Sequence, residues 1–121
     1  MTQAERRLFL INTLLSERRE IIEIPTTEYN QKRLLRSLFN IRMPKEVNEE
    51  FMQIQDEYLQ EENRNKGITD IADLQPVQND IYLWQGDITT LKCGAIVNAA
   101  NSQMLGCFQP CHGCIDNAIP Y

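Results

Sequence analysis

Long apolar runs are missing from this sequence. None approaches the roughly 20 consecutive apolar residues that a membrane-spanning helix requires, so no membrane partner is expected. Positive charge is scarce too: 12 Lys and Arg stand against 17 Asp and Glu, a net charge of −5. That balance argues against non-specific attachment to nucleic acid or to an anionic lipid surface, and no nucleic-acid partner is expected. The opening stretch "MTQAERRLFLINTLLSERRE" lacks the small-residue cleavage site of a signal peptide, because charges follow its apolar positions directly. A cytoplasmic location is expected on that ground. In that compartment clustered cysteines are more often metal ligands or reactive thiols than structural disulfides.

What is present is a globular composition. The 121 residues are 42% hydrophobic and 24% charged, too apolar for a disordered tail and long enough for one ordinary domain or two small pieces. The chain changes grammar part-way. Residues 1 to about 66 read as helix, with no strand-like segment. Leu8, Ile11, Leu14 and Leu15 recur at helical spacing in the first segment. Thr26 or Thr27 is an N-cap for the second, whose stripe is Leu34, Leu35, Leu38 and Phe39. The third is expected to open at Pro44, to carry Val47, Phe51, Ile54 and Tyr58 on one face, and to stop at Gly67. The stripes read as the core of a small helical cap, and the mixed charges between them as a solvated face.

From about residue 78 the pattern turns to short apolar runs. "DIYLWQG" reads as a strand ending at Gly86, and "GAIVNAA" contains a second, buried one over Ala95 to Val97. Between them Asp87 is placed to cap a turn or so of helix, and "CIDNAI" looks like another helix start. Strand, short helix, strand, helix is the opening of an α/β domain, and two strands cannot complete one. Cys93, on the approach to the second strand, is expected in the core.

Three of the four cysteines and the only histidine fall in "GCFQPCHGC". Cys107, Cys111, His112 and Cys114 are donors of the kind that bind Zn²⁺, and Gly106, Pro110 and Gly113 keep the backbone from continuing a regular helix. The ligands would come from one loop rather than from two separated pairs, which leaves room for an open coordination position. Two alternatives stand beside zinc: a redox pair of Cys111 with Cys114, and a cluster of chemically silent buried thiols. Asn98 and Asn101 bracket "NAAN" at the carboxyl end of the second strand. They are either turn residues or contacts for a ligand's hydroxyls, and Asp87 is either a cap or a ligand contact.

Taken together, "QGDIT", "AIVNAANSQML" and "GCFQPCHGCIDNAI" resemble the start of a macrodomain, and specifically of its zinc-dependent, protein-ADP-ribose hydrolase branch. The resemblance covers about residues 80 to 119, and the helical stretch ahead of it is similar to that branch's N-terminal extension. It implies residues 1–75 as a helical extension and 76–121 as the N-terminal part of a three-layer α/β/α macrodomain, incomplete in this chain. It implies ADP-ribose, or a mono-ADP-ribosylated protein, as partner and substrate, Zn²⁺ as cofactor, and hydrolysis of the bond between ADP-ribose and a modified side chain as the activity.

Carried over by position, Asp87 would accept from the adenine amino group, with Ile88 beside it through its backbone. Asn101 would face the distal ribose and Asn98 would support the loop. Cys107, His112 and Cys114 would hold zinc, with Cys111 outside that set. Asp116 would orient water or the distal ribose, which makes Asn101 and Asp116 the expected catalytic pair. "AIPY" departs from the "AIH" that the family shows after the aspartate, and the further strands and second glycine-rich loop of a macrodomain do not follow. A reading frame truncated or shifted near residue 119 is the expectation, with an ADP-ribose-binding module without turnover, or a helical interaction domain with a remnant, as alternatives. Exposed apolar strands in such a half-domain are expected to favour self-association.

Overall fold

The computed structural model describes residues 1–42, 45–99, 107–111 and 113–118. Three helices come first: α1 (Gln3–Arg18), α2 (Glu28–Ile41) and α3 (Glu49–Lys66). Each starts where a side chain can take an orphan backbone N–H. Thr2 accepts from Glu5 N, Thr27 from Asn30 N, and Asn48 from Phe51 N. α3 therefore begins at Glu49 rather than at Pro44, which lies outside the described residues. Asn48 offers the acceptor that a proline side chain lacks. α3 closes at Gly67, whose φ of 91° needs a residue without Cβ and whose N–H returns to Asn63 O and Arg64 O.

The apolar stripes of the three helices meet in one core. Leu10, Ile11, Leu14 and Leu15 come from α1, Leu35 and Leu38 from α2, and Phe51, Ile54 and Tyr58 from α3. Leu34, Phe39 and Val47 pack partly buried at its margin, and Leu8 is half-exposed beyond it. Each fully buried leucine contributes about 1.5–3 kcal/mol by leaving water, so this cluster dominates the stability of the helical unit. Polar ties fix its register. Arg42 Nε and Nη2 reach Glu17 Oε2 and Oε1 at 3.0 and 3.2 Å, and buried Arg7 donates from Nε to Gln31 Oε1 at 2.9 Å.

After Gly67 the chain forms only short elements. β1 (Thr69–Asp70) leads into a 3₁₀ turn over Ile71–Asp73. β2 (Pro76–Gln78) pairs antiparallel with β3 (Ile81–Tyr82) through an irregular register. A second 3₁₀ turn, Ile88–Thr90, runs into β4 (Leu91–Lys92), which pairs parallel with β1 as Thr69 with Leu91 and Asp70 with Lys92. α4 (Ile115–Ala118) is one turn. The architecture is thus three helices followed by small strands, a mixed α/β arrangement.

Three expectations for this half are corrected. Ala95–Val97 is not a strand: the parallel partner of β1 is the earlier pair Leu91–Lys92, and Val97 is 90% exposed. A strand needs a ladder to fill its N–H and C=O groups, and none of the described strands offers that segment one. Cys93 is half-buried rather than in the core, with its Sγ 3.8 Å from Leu91 O. The predicted strand in "DIYLWQG" shrinks to Ile81–Tyr82, and Leu83 beyond it is 83% exposed.

Candidate functional site

The segment from Trp84 to Thr90 is built around a bare backbone and a carboxylate. A Cβ at Gly86 would lie 2.5 Å from Cζ2 of Trp84, so the indole ring packs where only glycine leaves room. Asp87 then caps the 3₁₀ turn. Its Oδ1 accepts from Thr89 N at 3.0 Å and from Thr89 Oγ1 at 2.7 Å, while Thr90 Oγ1 donates to Asp87 O at 2.6 Å. Oδ2 faces Lys66 Nζ at 3.4 Å. The Thr89 hydroxyl holds the Asp87 carboxyl below its ordinary range, aided by the Thr89 N–H and the Lys66 ammonium against a smaller opposing effect of burial. Asp87 is thus an ionised acceptor, with one oxygen committed to its own turn and the other turned toward the end of α3.

The thiol loop sits on α2. Cys111 adopts φ 54°, a left-handed conformation uncommon for a residue with a side chain. Its N–H donates to Asn40 Oδ1 at 2.9 Å, and its Sγ lies 3.4 Å from Ser37 Oγ and 3.7 Å from Arg33 O. Asn117, 4% exposed, ties the far end of the loop. Its Oδ1 accepts from Arg36 Nε at 3.1 Å and Nη2 at 2.8 Å, its Nδ2 donates to Gln109 O at 2.7 Å, and its O accepts from Asn40 Nδ2 at 3.4 Å. Cys114 Sγ accepts the Asn117 N–H at 3.4 Å. Cys93, Cys107, Cys111 and Cys114 are all free thiols.

A cleft of about 380 Å³ lies beside these contacts, lined among others by Lys32, Arg36, Glu62, Lys66, Thr89 and Asn117. It brings the turn after Asp87 and the helix after the thiol loop to one place, though they are distant in sequence. Its cations are engaged: Lys32 with Glu28 and Glu62 at 3.1 and 3.3 Å, Lys66 with Asp87, and Arg36 with Asn117.

No family model matches the chain. Individual proteins do match it. It is 58% identical over 125 residues to a protein-ADP-ribose hydrolase of Treponema medium, a match covering 98% of this chain and 48% of that protein. It is 46% identical over 114 residues to a protein-ADP-ribose hydrolase of Staphylococcus aureus strain MRSA252, covering 92% of this chain and 42% of that one. The chain is related to the protein-ADP-ribose hydrolases. It corresponds to their N-terminal portion and spans under half of their length. A probable bifunctional ADP-ribose hydrolase/ADP-ribosyltransferase of Fusarium oxysporum f. sp. cubense is 44% identical over 97 residues, 71% of this chain and 16% of that protein.

Among the residues that the hydrolase resemblance singles out, the structure gives a definite setting to some and not to others. Asp87 is a half-exposed cap, Ile88 begins its turn, and Asn98 is half-buried. Cys107 and Cys114 are half-buried on the loop, and Cys111 is turned to α2. Asn101, His112 and the side chain of Asp116 lie outside the described residues. Among the described residues, which do not include His112, no group of three His, Cys, Asp or Glu side chains is gathered for a metal.

Sequence reading missed Arg36, Asn40 and Asn117. In α2, Arg33, Arg36, Ser37 and Asn40 follow one another at helical spacing opposite Leu35 and Leu38, a polar face like any other in the sequence. That face, expected to be solvated, carries the loop.

Proposed function

We propose that this chain is the N-terminal part of a zinc-dependent protein-ADP-ribose hydrolase that removes mono-ADP-ribose from modified protein side chains. The observation that carries the reading is the 58% identity to the Treponema medium hydrolase over 98% of this chain. Residues 1–75 are read as a helical extension, a reading supported by a hydrophobic core that, among the described residues, is drawn from α1, α2 and α3. Residues 76–121 are read as the opening of the three-layer α/β/α macrodomain.

Cys107, His112 and Cys114 are the residues that would hold zinc. The donor set fits: in sequence two cysteines, both free thiols, bracket the histidine, and thiolate and imidazole are the donors that zinc takes. Cys111 is directed to Ser37 and Arg33 O, which supports leaving it out of the set. A zinc held by these three residues would polarise a ribose oxygen or leaving group, or acidify a water.

The other roles belong to the chain itself. Asp87 Oδ2 would accept from the adenine amino group, sharing that oxygen with Lys66, while the Ile88 backbone would lie beside the ring. Asn98 would shape the loop that presents Asn101 to the distal ribose. Asp116 would orient the attacking water or that ribose. Departure of the modified side chain leaves positive charge on the ribose ring, and a carboxylate nearby stabilises it.

A second reading is ADP-ribose binding without turnover, for which the Asp87 carboxylate is an acceptor already set in place by Thr89. The purified chain is expected to carry one zinc per molecule, lost in Cys107→Ser and Cys114→Ser and kept in Cys111→Ser. Calorimetric titration with ADP-ribose and release of ADP-ribose from a modified protein, each with and without chelator, separate the two readings. Binding without release supports the second, and release that ignores the chelator removes zinc from the mechanism.

A further inference from the structure

We propose that helix α2 is the positioning element of the thiol loop, with Arg36 and Asn40 as positioning residues that hold its backbone and Cys114 ready for the metal. The metal half of this inference rests on the zinc reading above; the docking half does not.

The contacts join two parts of the chain far apart in sequence and reach the loop at Gln109, Cys111 and Cys114. Asn40 uses its whole amide on it: Oδ1 takes the Cys111 N–H at 2.9 Å, and Nδ2 donates to Asn117 O at 3.4 Å. Arg36 grips Asn117 Oδ1 with two donors at 3.1 and 2.8 Å. Asn117 passes that hold inward, since its Nδ2 donates to Gln109 O at 2.7 Å and its N–H to Cys114 Sγ at 3.4 Å. A single side chain from α2 is therefore connected through one buried residue, Asn117, to the backbone before Cys111 by its side-chain amide and to the sulfur of Cys114 by its backbone N–H.

The left-handed φ of 54° at Cys111 is consistent with an external hold. A residue with a Cβ is strained in that conformation and keeps it where its surroundings impose it. Here the N–H is fixed by Asn40, and the side chain that could have bound a metal is instead directed to Ser37 and the Arg33 carbonyl. Cys111 thus serves as the loop's foot on the helix and leaves the flanking thiols, half-buried, for other use. Partners that orient metal ligands from outside the ligand set typically change metal affinity by about 10–100-fold when removed.

The test uses the full chain and two readouts. Amide hydrogen exchange at Cys111 and Asn117 in metal-free protein reports the docking. Zinc competition against a chromogenic chelator reports the metal. Asn40→Ala and Arg36→Met are expected to speed exchange at Cys111 or Asn117 about five- to tenfold and to weaken zinc about 10–100-fold. Arg33→Met is the control, because the backbone carbonyl of that residue is what meets the loop; it is expected to change neither. Unchanged exchange in both α2 variants overturns the docking. Faster exchange with unchanged zinc affinity overturns the positioning role. Faster exchange in a chain that binds no zinc even as wild type supports the docking and overturns the zinc reading alone.

Discussion

Lys66, the last residue of α3, places its ammonium 3.4 Å from Oδ2 of Asp87, the residue that caps the turn of the "QGDIT" segment. The end of the helical unit thereby meets the carboxylate proposed to recognise adenine. Both groups are about half-exposed, so solvent screens the pair and its worth lies in orientation more than in stability.

The pH behaviour of Asp87 follows from its partners. The Thr89 hydroxyl is the largest influence holding the carboxyl below its ordinary value of 3.8, followed among the lowering effects by the Thr89 N–H and Lys66. A carboxylate depressed in the folded state stabilises the fold above its unfolded value, and that contribution is lost as pH falls through the lower folded one. An NMR titration is therefore expected to place the Asp87 midpoint below 3.8, and Thr89→Val to raise it. A midpoint unmoved by Thr89→Val would show that the hydroxyl does not govern the charge.

The helical core supplies a direct stability prediction. Leu10 is fully buried at the meeting of the three helices. Leu10→Ala is expected to lower the unfolding free energy by about 2–5 kcal/mol, read by urea denaturation with far-UV circular dichroism. A loss below about 1 kcal/mol would place the centre of the core elsewhere.

Apolar side chains left in water predict association. Leu83 is 83% exposed and Val97 90% exposed, beside short strands with open edges. The double variant Leu83→Glu, Val97→Glu is expected to lower the concentration-dependent mass seen by light scattering while leaving the unfolding of the helical unit unchanged. A wild-type chain whose mass is independent of concentration would contradict it.

The helices were legible because their information is local. Ile11, Leu14 and Leu15 repeat on one face of α1, and Thr27 and Gly67 mark the start of α2 and the end of α3 by their own chemistry. The cap at Asp87 and the helix start at Ile115 were legible for the same reason. Pro44 misled because a permissive first-turn residue is weaker evidence than the acceptor of Asn48. Ala95–Val97 misled because a strand is defined by its neighbour, and an apolar run carries no record of whether one is there. In the candidate site, the cysteines could be found by counting. Arg36, Asn40 and Asn117 could not be singled out with the same ease, since nothing in a polar helix face says which loop will rest on it.

Among the described residues the buried core cluster runs from Leu10 to Tyr58, and this also sets a timetable. Synthesis proceeds at roughly 5–20 residues per second, so the last core residue is made roughly 2–10 s before Cys107. Three helices joined by short connections close far faster than that. The surface that receives the cysteine loop is therefore assembled before the loop exists, and the loop meets a finished mould rather than folding alongside it.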